Sequence, residues 1–311
     1  MIDKKIKEHL LALPQVTGVG HGFKEVGGIP TDKEAIIVLV NKKLSSDQLT
    51  SNQLVPQSIN GIVTDVIEVG EFKTYSQKIV EGIAEEYNLQ EVKRTSRIRP
   101  AVPGVSIGHY QVTAGTFGAV VYDSSTGQPL ILSNNHILAN ASNGNDGRAK
   151  IGDPILQPGK IDGGSNYYNI IAKLTRYITL DEYPAVNQID CALAKPSNNN
   201  LILPEISGIG RVQGIKSPEL GMSVTKSGRT TAVTVGQIRV INVTVDVNYG
   251  QGRVLRFENQ ILTTRMSEGG DSGSLVLNEN NLAVGLLFAG SDQGTLVNPI
   301  QIVLDMLKVK F

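Results

Sequence analysis

The 311-residue chain balances 29 Lys plus Arg against 29 Asp plus Glu, so no basic excess points to a nucleic-acid or membrane surface as its main partner. Aromatics make up only 5% of the residues while Val, Ile, Thr and Gly are plentiful, which favours strands joined by tight turns over helices. A single cysteine, Cys191, excludes an internal disulfide, and no apolar run approaches the roughly 18 to 20 residues that span a bilayer. The opening Met-Ile-Asp-Lys-Lys-Ile-Lys-Glu lacks an apolar signal-peptide core, so a cytoplasmic location with neither nucleic-acid nor membrane partners is the expectation.

In chain order, Ile6, Leu10 and Leu13 fall at helical spacing after Asp3 and before Pro14, predicting a short helix. Val16 to Lys24 alternates glycine with β-formers, Ala35 to Val40 is a continuous apolar run, and Gly61 to Val69 is mostly β-branched. With a polar, serine-started helical stretch at 45–54, these elements predict a small α+β unit over residues 1–98, linker included. Its apolar strands allow a homo-oligomer without requiring one. His21 lies in a strand-like stretch with no metal-ligand spacing around it, and a structural or surface role is expected. Residues 75–89 are charged and read as partly helical. The basic run 93–99 ending at Pro100 reads as a solvated linker.

From residue 99 to 311 the texture changes. Gly118 to Tyr122 and Leu130 to Leu138 flank the turn sequence Asp123-Ser124-Ser125-Thr126-Gly127-Gln128 and predict a hairpin that delivers His136 at its end. A loop region over 139–166 is followed by strand-like segments at 170–178 and 188–194. In the second of these, Asp190 interrupts an apolar run, where a carboxylate is costly unless it is paired or hydrogen-bonded. Beyond Pro196, strands are predicted at 206–215, 223–225, 233–247, 254–263, 274–277 and 282–288, so that each half supplies one barrel. Asn298 as N-cap, Pro299, and the stripe Ile300, Val303, Leu304 and Leu307 predict a terminal helix packed on the second barrel.

Ser272 lies in Gly269-Gly270-Asp271-Ser272-Gly273, just ahead of the apolar run Leu275-Val276-Leu277, where a serine sits exposed with backbone N–H groups converging beside it. A hydroxyl nucleophile needs a base and a group to orient that base, and His136 and Asp190 are the candidates. In these residues, in Leu132-Ser133-Asn134-Asn135-His136, and in Gly228-Arg229-Thr230-Thr231 followed by Gly236, the chain resembles the chymotrypsin-like (trypsin-like) serine peptidases. It looks most like intracellular bacterial members with an extra N-terminal domain. The resemblance covers residues 100–311 and, loosely, the region before them. It implies a mostly β fold, a chymotrypsin-like double β-barrel with the small α+β N-terminal domain and the C-terminal helix added. It implies a serine endopeptidase with a protein or peptide substrate, no cofactor and no metal: Ser272 as nucleophile, His136 as general base, Asp190 as its orienting carboxylate, and the N–H groups of Gly270 and Ser272 as oxyanion hole. By position, Met266 lies near the pocket base and Phe288, Ala289 and Gly290 along one wall, so an apolar or medium-sized side chain before the scissile bond is expected.

The same residues admit a catalytically silent interaction or regulatory module that keeps the fold, or an acyl hydrolase acting on esters. The chain order His, Asp, Ser speaks against the second, whose usual order is Ser, Asp, His. Zymogen-activated relatives pair the aspartate before the serine with a freed amine, so Asp271 must find another partner if no N-terminal trimming is needed, as is expected here. His9 and His109 have no catalytic context, and Cys191 is expected to be a buried small side chain.

Overall fold

The computed structural model describes residues 2–74 and 93–311; the partly helical stretch predicted at 75–89 lies outside the described residues. The protein is mostly β, built on two sheets. One has eight strands and runs from the C-terminal Val309–Lys310 through Ala119–Asp123, Pro129–Ser133, Ala192–Pro196, Ile170–Tyr177, Pro154–Leu156 and Ser106–His109 to Gly115–Thr116. In the second, Ser223–Gly228, Ala232–Asn248, Val254–Thr264, Gly294–Pro299, Leu282–Gly290 and Leu275–Asn278 pair in a closed ring, which removes free edges. The ring includes Gly294–Pro299, of which Asn298 and Pro299 were expected to start the terminal helix. Between the sheets a single apolar cluster joins Val121 and Leu132 of the first to Leu277 and Leu286 of the second. The helix Ile300–Leu307 buries Ile300, Val303, Leu304 and Leu307 in this cluster, the stripe expected for it.

The helix Lys4–Leu11 forms as its spacing predicts, with the Asp3 side chain accepting from the Lys5 N–H. The polar stretch after Ser45 yields only the short 3₁₀ turn Ser46–Gln48, stabilised by the capping box of Ser45 and Gln48. Strands Val16–Val26, Ile29–Val40 and Ile62–Glu68 form the N-terminal unit, and Val16–Val26 also pairs antiparallel with Ala232–Asn248, so this unit extends the second sheet. The glycine alternation explains the join. A Cβ on Gly20 would stand 2.5 Å from Val240 Cγ1 and 3.0 Å from Val243 Cγ2, so only a bare backbone lets the long strand lie this close. Gly20→Val should therefore overpack the join and lower stability by roughly 1–3 kcal/mol, read from urea unfolding; an unchanged midpoint and slope would mean that the contact is loose.

Candidate active site

The predicted strand through Leu138 stops at Ser133, and His136 lies in the helical turn Asn135–Leu138. Asn135 fixes that turn: its side chain donates to Ser142 O (3.0 Å) and Ile178 O (2.6 Å) and accepts from Ser142 N (3.1 Å). Strand register then selects the partner of the histidine. Ala192 sits opposite Ser133 in an antiparallel pair, so the residues just before Ala192 face those just after Ser133. Asp190 is thereby set against His136, and Asn134 holds it there by donating to its carbonyl (2.8 Å).

The Asp190 carboxylate is fully buried, and three donors offset the cost of its charge. His136 N–H reaches Oδ1 at 3.1 Å, while His136 Nδ1 and the Tyr249 hydroxyl (2.7 Å) both bond Oδ2. Bonded there, Nδ1 carries the proton, which leaves Nε2 with its lone pair. That nitrogen is buried and has no hydrogen-bond partner among the described residues. A buried unsatisfied nitrogen is rare unless chemistry uses it.

Ser272 lies in the turn leading into Leu275–Asn278, between Gly270 and Gly273, whose φ values of +99° and +94° favour glycine. Thr116 fastens this turn to the first sheet. Its N–H donates to Ser272 O (2.8 Å), its hydroxyl to Gly270 O (2.9 Å), and its carbonyl accepts from Ser133 Oγ (2.8 Å), on the strand that leads to His136. With their carbonyls engaged in this way, the N–H groups of Gly270 and Ser272 donate to no protein acceptor among the described residues, as an oxyanion site requires. The Ser272 hydroxyl donates to Phe288 O at 3.4 Å, so the serine and the imidazole are not hydrogen-bonded in this resting arrangement. Catalytic bonds of this kind commonly tighten only when substrate is bound.

Asp271 finds its partner in Lys226. The ammonium stands 3.2 Å from Asp271 Oδ2 and both side chains are fully buried. Asp271 also accepts from Thr230 N (2.9 Å), Thr231 N (3.1 Å), Thr231 Oγ1 (2.6 Å) and Glu268 N (3.0 Å). Burial lowers the pKa of Lys226, with Asp271 opposing the shift and Arg94 adding to it.

The expected pocket residues are placed differently from one another. Met266 packs with Val224, Ile238 and Ile261. Phe288 and Ala289 are buried in a separate cluster, where the Phe288 ring lies 4.9 Å from that of Phe257, so these two side chains are core and not an open wall. Below them, Ser267 Oγ and Thr295 Oγ1 form a buried hydroxyl pair (2.8 Å), and Thr295 Oγ1 also accepts from Met266 N (3.1 Å). Gly290 pairs with Thr295 on one side and with Lys73 on the other, through Lys73 N to Gly290 O (3.0 Å) and Gly290 N to Lys73 O (3.2 Å). Lys73 thus occupies the outer side of this strand end, next to Phe288.

Cys191 is fully buried, and burial followed by Asp190 raises its thiol pKa, which keeps it a neutral small side chain. His109 is also buried, bonded to Asp153 Oδ2 at 3.0 Å, and His21 stands 3.5 Å from Glu34 at the surface. Thr116, Lys226, Tyr249 and Asn298 are the site residues that the sequence reading missed. Asn298 is not the helix cap expected of it: its Oδ1 accepts from Asp190 N (3.0 Å) and its amide donates to Gln260 (2.6 Å), while Pro299 takes the N-cap position.

No family model matches the chain. Glutamyl endopeptidase 2 of Streptomyces griseus is 46% identical to it over 67 residues, which is 21% of this chain and 33% of that protein, so the chain matches about a third of the relative's length. Among solved structures it is similar to Thermobifida fusca protease A, at 20% identity over 68% of this chain and 98% of that one with a TM-score of 0.49. It is likewise similar to the Nocardiopsis protease, at 18% identity over 67% and 97% with a TM-score of 0.48. The histidine held on a buried aspartate, and the serine in a glycine turn tied to the same sheet junction, thus stand in a chain whose similarity to the Streptomyces endopeptidase covers 67 residues.

Proposed function

We propose that the chain is a serine endopeptidase that cleaves protein or peptide substrates through an acyl-enzyme on Ser272. The observation that carries the reading is the His136 imidazole, bonded through Nδ1 to a buried carboxylate while its Nε2 is buried and unpaired. In that tautomer Nε2 takes the Ser272 proton as the hydroxyl attacks the carbonyl carbon, and the resulting imidazolium gives a proton to the leaving amine. Asp190 stabilises the imidazolium, and the Gly270 and Ser272 N–H groups receive the developing oxyanion. Water then enters and the same base carries the deacylation. A silent module has no physical need for an unpaired buried imidazole nitrogen beside a serine turn, so the alternative is the weaker reading.

Two side-chain preferences before the scissile bond compete. Met266 and the apolar residues around it favour an apolar or medium-sized side chain. The name of the Streptomyces relative suggests glutamate, and the buried Ser267 and Thr295 hydroxyls beside Met266 supply polar groups that such a side chain could meet. Cleavage-site profiling of the wild type beside Ser272→Ala tests both levels: cleavage is expected only with Ser272 present, and equal cleavage by the two proteins would refute the mechanism. A profile dominated by Arg or Lys would refute both preferences. A cytoplasmic location belongs to the same proposal, resting on one free, buried thiol, and cell fractionation checks it.

A further inference from the structure

We propose that Tyr249 is a positioning residue for this catalytic set, holding the Asp190 carboxylate in the orientation that keeps His136 ready to accept a proton. The inference rests on the reading of Ser272, His136 and Asp190 given above. Tyr249 lies in the turn joining Ala232–Asn248 to Val254–Thr264, far along the chain from all three. Its hydroxyl donates to Asp190 Oδ2 at 2.7 Å, and its ring stands edge-on to the His136 imidazole at 5.9 Å and 89°. A carboxylate only accepts, so the phenol must be the donor. Burial, and then the charge of Asp190, push the Tyr249 pKa well up, which keeps that proton in place.

The direction of the effect follows from what else holds each partner. Tyr249 is anchored without Asp190: its ring stacks on Phe257 (5.9 Å, 17°), its N–H donates to Arg253 O (2.9 Å), and its neighbour Asn248 is bonded through its backbone to Phe72 O (2.9 Å) and Thr74 N (3.1 Å). The far end of the turn is tied down as well, by Arg253 Nη1 to Ala141 O (3.2 Å), just after the helical turn that bears His136. The Asp190 side chain, by contrast, accepts only from His136 and Tyr249 among the described residues, and two of those bonds come from the residue it must orient. Among the described residues, Tyr249 is therefore the one donor to the carboxylate that lies outside His136. A rigid donor loses little entropy on forming the bond and so defines where Oδ2 sits. Without it, Oδ2 is buried with one donor and the carboxylate can turn about its last bond, taking Nδ1 with it.

The test uses the full chain carrying Tyr249→Phe, alone and combined with Asp190→Asn, with kcat and KM on a peptide and the rate of fluorophosphonate labelling as readouts. A hydrogen bond to a charged group sets the expected size: kcat and labelling should fall about ten- to a hundredfold with KM within about twofold. In the Asp190→Asn background the same change should move kcat by less than about twofold, because the carboxylate it acts through is gone. An unchanged kcat, or the same loss in both backgrounds, overturns the proposal, since a merely structural tyrosine would act equally in each. Should Tyr249→Phe fail to fold, 3-fluorotyrosine at position 249 keeps the packing and alters only the donor's acidity. It should then change kcat by at least about twofold, and no change overturns the proposal. A wild type that labels normally beside an unaffected Tyr249→Phe sinks this proposal alone, whereas a wild type that neither labels nor cleaves sinks the catalytic reading and this proposal with it.

Discussion

Asp190→Asn is expected to lower turnover by about four orders of magnitude while leaving the protein folded. The amide keeps the shape of the carboxylate but replaces one acceptor by a donor. Tyr249 and the His136 N–H both donate, so the new amide N–H₂ has to face one of them. If it takes the place of Oδ2 it faces both Tyr249 and His136 Nδ1, which must become the acceptor, so the proton moves to Nε2, which then cannot take one from Ser272. If it takes the place of Oδ1, the contact with the His136 backbone N–H is lost, and the imidazolium has no counter-charge in either case. Steady-state kinetics beside circular dichroism measures the effect, and turnover within tenfold of wild type would remove Asp190 from the mechanism.

Lys226→Met is expected to lower both stability and activity. Deleting one partner of a buried ion pair typically costs roughly 3–5 kcal/mol, because the other charge stays behind without water. Here the four hydrogen bonds that Asp271 also receives place the loss toward the lower end. The kinetic effect follows from position. Asp271 lies between Gly270 and Ser272, and displacing its carboxylate tilts the N–H groups assigned to the oxyanion, where losing one donor costs about 10²- to 10³-fold in kcat. Lys226→Arg keeps the charge and should recover most of both. The pH dependence has a definite sign. Since burial lowers the Lys226 pKa from its ordinary value of 10.5, the ammonium is lost as pH rises through that lowered value. The wild type should therefore lose activity on the alkaline side before ordinary lysines titrate, and the arginine variant should hold further. Urea unfolding with kcat against pH checks both, and a methionine variant as stable and active as wild type would show that Asp271 needs no cation.

What the sequence made legible was local. The amphipathic spacing of Ile6, Leu10 and Leu13, the turn after Asp123, and the glycine-flanked Ser272 each carry their reason within a few residues, and the structure forms the corresponding elements. The carboxylate of Asp190 stood out because a charge within an apolar run needs a partner, and His136 is that partner. What stayed hidden depends on which distant strands meet. Nothing near Tyr249 marks it, because its hydroxyl acquires meaning only once the long hairpin lies beside Asp190. Lys226 reads as an ordinary strand lysine until the pairing of Ser223–Gly228 with Leu275–Asn278 sets it against Asp271. Asn298 followed by Pro299 looks like a helix start, but the buried N–H of Asp190 draws its side chain away and a strand runs up to Pro299 instead. The packing of Phe288 on Phe257 depends on which way the Leu282–Gly290 strand faces, and order along the chain does not specify that.

Labelling with a fluorophosphonate probe tests directly whether His136 activates Ser272 as a nucleophile, because the probe is small and reacts only with an activated serine. Stoichiometric labelling of the wild type at Ser272, confirmed by peptide mass, is expected, with none in Ser272→Ala or after heat unfolding. Labelling at another residue, or a folded wild type that stays unlabelled at every pH from 6 to 9, would contradict it.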